Sequence, residues 1–250
     1  MEDAMTTHNK YKHYIEDQKK FFDELITMDW DTYHDKFWDY TRKFEANVII
    51  KQTSPKSILD VGCGCGFHDL IFAKNSCVEK VIGIDYSNES VKKANTVYPN
   101  SKVERFCVDF LADDELVANN FDLVVSFQVI EHLKNYEKFF RKMVSKANAD
   151  GYIVVATPNY DRFSNRIRKF FSKKPQFCDP MHYEEFNLKK LKHLGEKMGL
   201  EMFHFLGYGC SLNVKFNLDK FVPKILRFYI GLLFPRIAEV LIVFFRKKYQ

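Results

Sequence analysis

The sequence predicts an α/β fold with a doubly wound, mostly parallel sheet, preceded by N-terminal helices and followed by a helical C-terminal extension. Three observations carry this. Five short apolar runs, at 57–62, 80–85, 102–109, 121–127 and 151–158, alternate with helix-patterned segments at 66–74, 87–97, 112–118 and 134–147, the order that places parallel strands between helices. The first run ends in a glycine-rich turn, and the next two end in an acid. At 250 residues and 46% hydrophobic, the chain can bury the core that such a domain with additions requires.

Residues 1–54 are read as a helical cap. Tyr14, Phe21, Phe22, Leu25, Trp30, Tyr33, Phe37, Tyr40, Phe44 and Val48 recur mostly at three- and four-residue steps, and neither Pro nor Gly interrupts 8–52. That spacing predicts two or three amphipathic helices with the aromatic stripe in the core. Residues 55–212 form the α/β domain, in which 181–209 reads as a helix and then a strand, with Gly195 and Gly199 near the helix end. Residues 213–250 form an apolar and basic extension. Its stretch 221–245 is interrupted by Arg227, Pro235, Arg236 and Glu239, a poor pattern for a membrane span and a better one for two short helices broken at Pro235. Docking on the domain, a homodimer surface and peripheral contact with a membrane are the three roles open to it.

The net charge of +5 is unevenly spread. Residues 161–178 and 213–250 together carry +11, leaving −6 for the rest. A body of that sign argues against a nucleic-acid partner. The basic insert at 160–178 reads as a substrate lid for an anionic small molecule, as an interfacial helix or as a solvated face. Six scattered cysteines, with neither paired zinc spacing nor an apolar secretory leader, suggest reduced thiols and a cytoplasmic location, with the inner face of a membrane as the variant.

Glycine is scarce, ten in 250, yet three fall in Asp60-Val61-Gly62-Cys63-Gly64-Cys65-Gly66. Between a strand and a helix, glycines let the backbone turn sharply and approach a ligand. The dinucleotide fingerprint would place its third glycine at Phe67, and no Gly-Lys-Ser/Thr follows. Together with Phe127-Gln128-Val129-Ile130-Glu131-His132-Leu133 after the fourth run and Thr157-Pro158-Asn159 after the fifth, this loop resembles class I S-adenosylmethionine-dependent methyltransferases, in the small-molecule branch that includes quinone O-methyltransferases and sugar methyltransferases. The resemblance covers about 55–208 and implies a Rossmann-like methyltransferase fold with S-adenosyl-L-methionine as cofactor.

The cofactor-binding set that the resemblance implies is Asp60, Gly62, Cys63, Gly64, Gly66, Asp85, Tyr86, Asp109, Phe110, Phe127 and Gln128. Asp85 would accept from both ribose hydroxyls and Asp109 from the adenine amino group, though either could instead cap a turn. Asp60 would order the loop near the methionine amine. The thiols of Cys63 and Cys65 read as loop fillers. Methyl transfer to a hydroxyl calls for a base, for which the candidates are His182 and His132; a structural hydrogen-bonded role is the competing reading of each. Quinone O-methyltransferases place Glu where Gln128 stands, within a set able to hold a divalent cation. Only Glu131 and His132 of that set remain here, so no metal is expected. The implied reaction is transfer to a small molecule, at oxygen, with nitrogen transfer, a membrane-associated lipid or quinone methyltransferase and a non-catalytic cofactor-binding module as alternatives.

Overall fold

The computed structural model describes residues 18–28, 36–112, 118–211 and 218–248. Tyr14, Trp30, Tyr33 and most of the expected helix at 112–118 lie outside them. The seven strands form a sheet that is mostly parallel with flanking helices, and the chain divides into two compact units: residues 1–118 with 179–182, and residues 119–178 with 183–250.

The first unit begins with α1 (Gln18–Met28) and α2 (Lys36–Thr53), followed by β1 (Ser57–Val61), α3 (Phe67–Ala73), β2 (Lys80–Asp85), α4 (Asn88–Val97) and β3 (Val103–Cys107). β2 lies between β1 and β3 and is parallel to both. The β1 core, Ile58 to Val61, is buried without alternation, as is Val81 to Ile84 of β2, as expected for strands covered on both faces. Ser87 caps α4 by accepting from the Ser90 N–H at 3.1 Å, which fixes the turn directly after Asp85.

The aromatic stripe expected to form the core of α2 does not. The buried face is Thr41, Glu45, Ala46, Ile49, Ile50 and Thr53, whereas Phe37 and Phe44 are half-buried and Trp38 and Tyr40 are exposed. The physical reason is a charged anchor: the buried Glu45 carboxylate accepts from His68 Nε2 at 2.8 Å, which turns the Glu45 side of α2 toward α3. Arg42 then covers part of the aromatic surface, its guanidinium 5.0 Å from the Trp38 ring centre and 5.4 Å from that of Phe67.

The second unit holds β4 (Phe121–Phe127), α5 (Tyr136–Lys146), β5 (Ala147–Pro158), α6 (Phe163–Phe170), α7 (Leu188–Lys197), β6 (Leu200–Tyr208), α8 (Lys224–Leu233) and β7 (Val240–Lys247). Its strand order is β4-β5-β7-β6. β4 and β5 are parallel, and β7 runs antiparallel to both β5 and β6. Gly199, in the left-handed region at φ 74, ends α7.

The extension is therefore helical only in part and is no separate appendage. α8 matches the first expected helix, and the chain breaks at Pro235 in a short 3-10 turn. The expected second helix is the strand β7, whose Leu241 to Phe245 are all fully buried. A short, unbroken run of apolar β-branched and aromatic residues has no period that separates a helix from a strand buried on both faces. No described helix is long and apolar enough to cross a membrane.

Candidate cofactor and acceptor site

In the first unit the loop after β1 turns on three glycines in the left-handed region: Gly62 at φ 81, Gly64 at φ 52 and Gly66 at φ 73. The Gly62 and Cys63 N–H groups donate to the Ile84 carbonyl at 2.8 and 3.0 Å, which ties the loop to the end of β2. Gly64 donates its N–H to Asp85 Oδ2 at 2.9 Å, and Ser87 donates its N–H to Asp85 Oδ1 at 2.8 Å. A Cβ on Gly64 would have no atom within 4 Å, so the loop leaves open space at that point. Asp85 thus ends β2 beside the glycine loop, oriented by two backbone donors and retaining acceptor capacity on each oxygen.

Beneath the loop lies a charged cluster. Asp60, Asp69 and Arg105 are buried. The Arg105 Nε donates to Asp69 Oδ2 at 2.8 Å, and its other nitrogens donate to the carbonyls of Tyr98 at 3.1 Å and Gly66 at 3.3 Å. Gly66 is required twice: its φ is left-handed, and a Cβ there would lie 2.5 Å from Arg105 Nε. Neither carboxyl oxygen of Asp60 meets a hydrogen-bond partner of normal geometry. Burial first, then the charge of Asp69, holds Asp60 well above the usual carboxylate range.

Burial also pushes Asp85 up to about 6, against the two N–H groups that lower it, with the charges of Asp23 and Asp69 adding to the rise. The Cys63 thiol is driven up by burial and then by Asp69, and the Cys65 thiol is pushed up to about 12, again chiefly by burial. Both thiols therefore stay protonated at neutral pH, as inert loop residues do.

α1 borders the end of β2. Ser87 Oγ donates to Asp23 Oδ1 at 2.5 Å, and the rings of Phe22 and Tyr86 meet edge to face at 6.3 Å. Phe110 is buried, whereas Asp109 is exposed and caps its own turn, with Oδ1 accepting from Leu111 N–H at 2.9 Å and Ala112 N–H at 3.3 Å. His182 is half-buried, and its N–H donates to the Asp179 carbonyl at 3.3 Å.

In the second unit Phe127 ends β4 buried. Gln128 follows in the left-handed region at φ 55, its N–H donating to the Ala156 carbonyl at 2.8 Å. His132 closes a 3-10 turn, Ile130–His132. The Glu131 side chain accepts from Thr157 Oγ1 at 2.9 Å, and its carbonyl accepts from the Tyr183 and Glu184 N–H groups at 2.9 and 3.2 Å, so Glu131 joins the exits of β4 and β5. Asn159 donates its side-chain amide to the carbonyls of Arg236 at 3.2 Å and Ala238 at 2.9 Å. Buried Arg162 pairs with Glu185 and donates to the Gln176 carbonyl, which closes the insert on itself.

A family model described as a methyltransferase domain matches residues 33–204. The chain belongs to this family. Among its relatives is a Mycolicibacterium smegmatis protein named "Probable S-adenosylmethionine-dependent methyltransferase", 27% identical over 173 residues that cover 69% of this chain and 63% of that one. Ajmaline N-methyltransferase from Rauvolfia serpentina is 36% identical over 107 residues, covering 42% of this chain and 36% of the relative. The chain thus spans less than two thirds of the length of these curated relatives. The solved N-methyltransferase NodS of Bradyrhizobium japonicum, in complex with S-adenosyl-L-homocysteine, shares the fold with a TM-score of 0.61 at 14% identity, over 92% of this chain and 98% of that one.

Sequence reasoning missed Asp69, Arg105, the Glu45–His68 pair and the Asp23–Ser87 bond. One signal was present: in β3 only Arg105 is buried, while its apolar neighbour Phe106 is 46% exposed. A cation on the inward register of a strand asks for a buried acid, and Asp69 follows the last loop glycine by three residues.

Proposed function

We propose that this protein transfers a methyl group from S-adenosyl-L-methionine to a small-molecule hydroxyl, with His182 as the base. The observation that carries the cofactor half is the cradle itself: three left-handed glycines beside Asp85, with open space at the Gly64 α-carbon. The site fits such a ligand in charge as well, since Arg105 is already paired with Asp69 and the Asp85 carboxylate keeps acceptor capacity beside the loop. Bound S-adenosylmethionine supplies a methyl already activated by its sulfonium.

Each residue then has a defined task. The loop backbone lies against the amino-acid end, and buried Asp60 stands below it as an acceptor. Asp85, held by the Gly64 and Ser87 N–H groups, accepts from the two ribose hydroxyls. Phe110 and Tyr86 border the adenine base, with Asp109 at its edge, and Phe127 and Gln128 are the further cofactor-binding candidates. Alignment of the two reactants supplies about 7–11 kcal/mol, and His182 holds the proton that the acceptor hydroxyl gives up. His132 is the second candidate for that proton.

His182→Ala is expected to lower kcat by about 10²–10⁴-fold with cofactor affinity unchanged, as measured by product formation and by titration calorimetry. Equal turnover of variant and parent across the neutral range would remove His182 as the base. Nitrogen transfer is the second reading, favoured by the similarity to ajmaline N-methyltransferase; a neutral amine needs no such base, so full activity of His182→Ala on an amine acceptor would favour it.

Asp85 also sets a pH dependence. Its folded value of about 6 lies above the ordinary 3.8, so protonation favours the folded state, and the contribution of this group to stability rises as pH falls from about 6 toward 3.8. Ligand binding runs the other way, because a protonated carboxyl is a weak acceptor. Affinity for S-adenosylhomocysteine is expected to be flat above pH 6 and to fall progressively below it. A flat profile down to pH 4.5, read by calorimetry, would contradict the role given to Asp85.

A further inference from the structure

We propose that the second unit docks on an anionic membrane surface through α8 and the insert that carries α6. The inference is independent of the catalytic reading. Phe221, Ile225, Tyr229 and Leu233 recur at four-residue steps and are 82%, 44%, 50% and 74% exposed, and Leu226 and Phe234 beside them are 51% and 58% exposed. Ile225, Tyr229 and Leu233 thus form one stripe along one side of α8, and Phe221 stands in the turn just before it. Water-facing apolar side chains in a contiguous set mark an interaction surface, not scattered exposure.

The orientation of the stripe is built in. On the opposite side of α8, Phe228 is fully buried, and Gly231 lies so close to β6 that a Cβ would sit 2.4 Å from the Gly209 nitrogen and 2.5 Å from the Tyr208 carbonyl carbon. The helix is pressed on the strand by its smallest residue, so its apolar outer side cannot be turned inward. No acid occurs from Lys220 to Ala238, and Lys220, Lys224 and Arg236 are exposed.

The insert repeats the chemistry. Phe170, Phe171 and Phe177 are 81%, 52% and 41% exposed, among exposed Arg166, Lys169, Lys173 and Lys174. Its root is fastened to the segment after α8: the Asn159 amide donates to the carbonyls of Arg236 and Ala238, and the Asn159 N–H donates to the Glu239 carbonyl at 2.7 Å. Pro158 of β5 pairs with Val240 of β7, so both segments leave from the carboxyl end of β5.

Aromatic and aliphatic side chains rimmed by cations suit the boundary between acyl chains and anionic headgroups. A second copy of this chain fits less well, because a two-fold contact across the stripe would set Lys220, Lys224 and Arg236 of each copy close to their equivalents. With no described helix able to cross a bilayer, the contact lies on the surface.

The test is co-sedimentation of the full chain with phosphatidylcholine vesicles, with and without phosphatidylglycerol, alongside light scattering of the protein alone. The chain is expected to pellet with the anionic vesicles, to be released by high salt, and to stay in solution with neutral ones. The triple variant Phe221→Ser, Ile225→Ser and Leu233→Ser, which changes exposed positions only, is expected to lose about tenfold or more in partitioning with an unchanged melting temperature. Lys173→Glu with Lys174→Glu is expected to weaken binding in a salt-dependent way. Failure to pellet with anionic vesicles, equal pelleting of the triple variant, or a dimer that the triple variant dissociates without any vesicle binding would overturn the proposal.

Discussion

Arg105→Ala is expected to lower unfolding stability by about 3–5 kcal/mol, the cost of removing one partner from a buried ion pair. The Arg105 and Asp69 side chains are 1% and 0% exposed and meet at 2.8 Å. Removing the cation leaves the Asp69 carboxylate buried beside Asp60, and it takes donors from the carbonyls of Gly66 and Tyr98. The loss also opens space under the glycine loop, because the guanidinium occupies the place a Gly66 side chain would take. Asp69→Leu combined with Arg105→Met is expected to recover part of the loss, since neither charge is then buried alone. Urea unfolding followed by circular dichroism checks both; a loss below about 1 kcal/mol for Arg105→Ala, the range of an exposed pair, would show that the cluster is solvated.

The second large effect is on ligand affinity. Asp85→Ala is expected to weaken binding of S-adenosylmethionine by at least about a hundredfold, because two hydroxyls lose a charged acceptor worth about 1.5–3 kcal/mol each. The variant also takes the acceptor from the Gly64 and Ser87 N–H groups, so Asp85→Asn is the companion. It keeps the shape and one acceptor oxygen, and is expected to lose less affinity and to bind without the decline below pH 6. Equal affinity of Asp85→Ala and the parent would sink the assignment.

What was legible in the sequence follows physical lines. The runs 80–85 and 121–127 match β2 and β4 residue for residue, because each is a short apolar run bounded by polar turns. The loop glycines were legible because glycine is otherwise scarce and three together before a helix have a backbone reason. β7 was not legible: its six apolar residues have no period, and its ending in Arg246 and Lys247 resembles a helix end. The aromatic stripe of α2 misled because hydrophobicity alone does not show that buried Glu45 and His68 decide which side faces inward. Arg105 and Asp69 escaped for the same reason, as each is placed by a partner far away in the chain, and β3 turns Phe106 outward to bury a cation.

Asp109 shows where a role expected from a family resemblance meets local chemistry. Its Oδ1 is occupied by the turn that it caps, as Asp commonly is in turns, so any adenine contact rests on its remaining capacity. Glu131, by contrast, takes a structural part, holding Thr157 and the 183–184 backbone.

The most direct measurement is titration calorimetry of the unmodified chain with S-adenosylmethionine and S-adenosylhomocysteine at neutral pH. One site per chain, with the second ligand displacing the first and Asp85→Ala abolishing the heat, is the predicted result. A folded chain that takes up neither ligand at millimolar concentration would contradict the account.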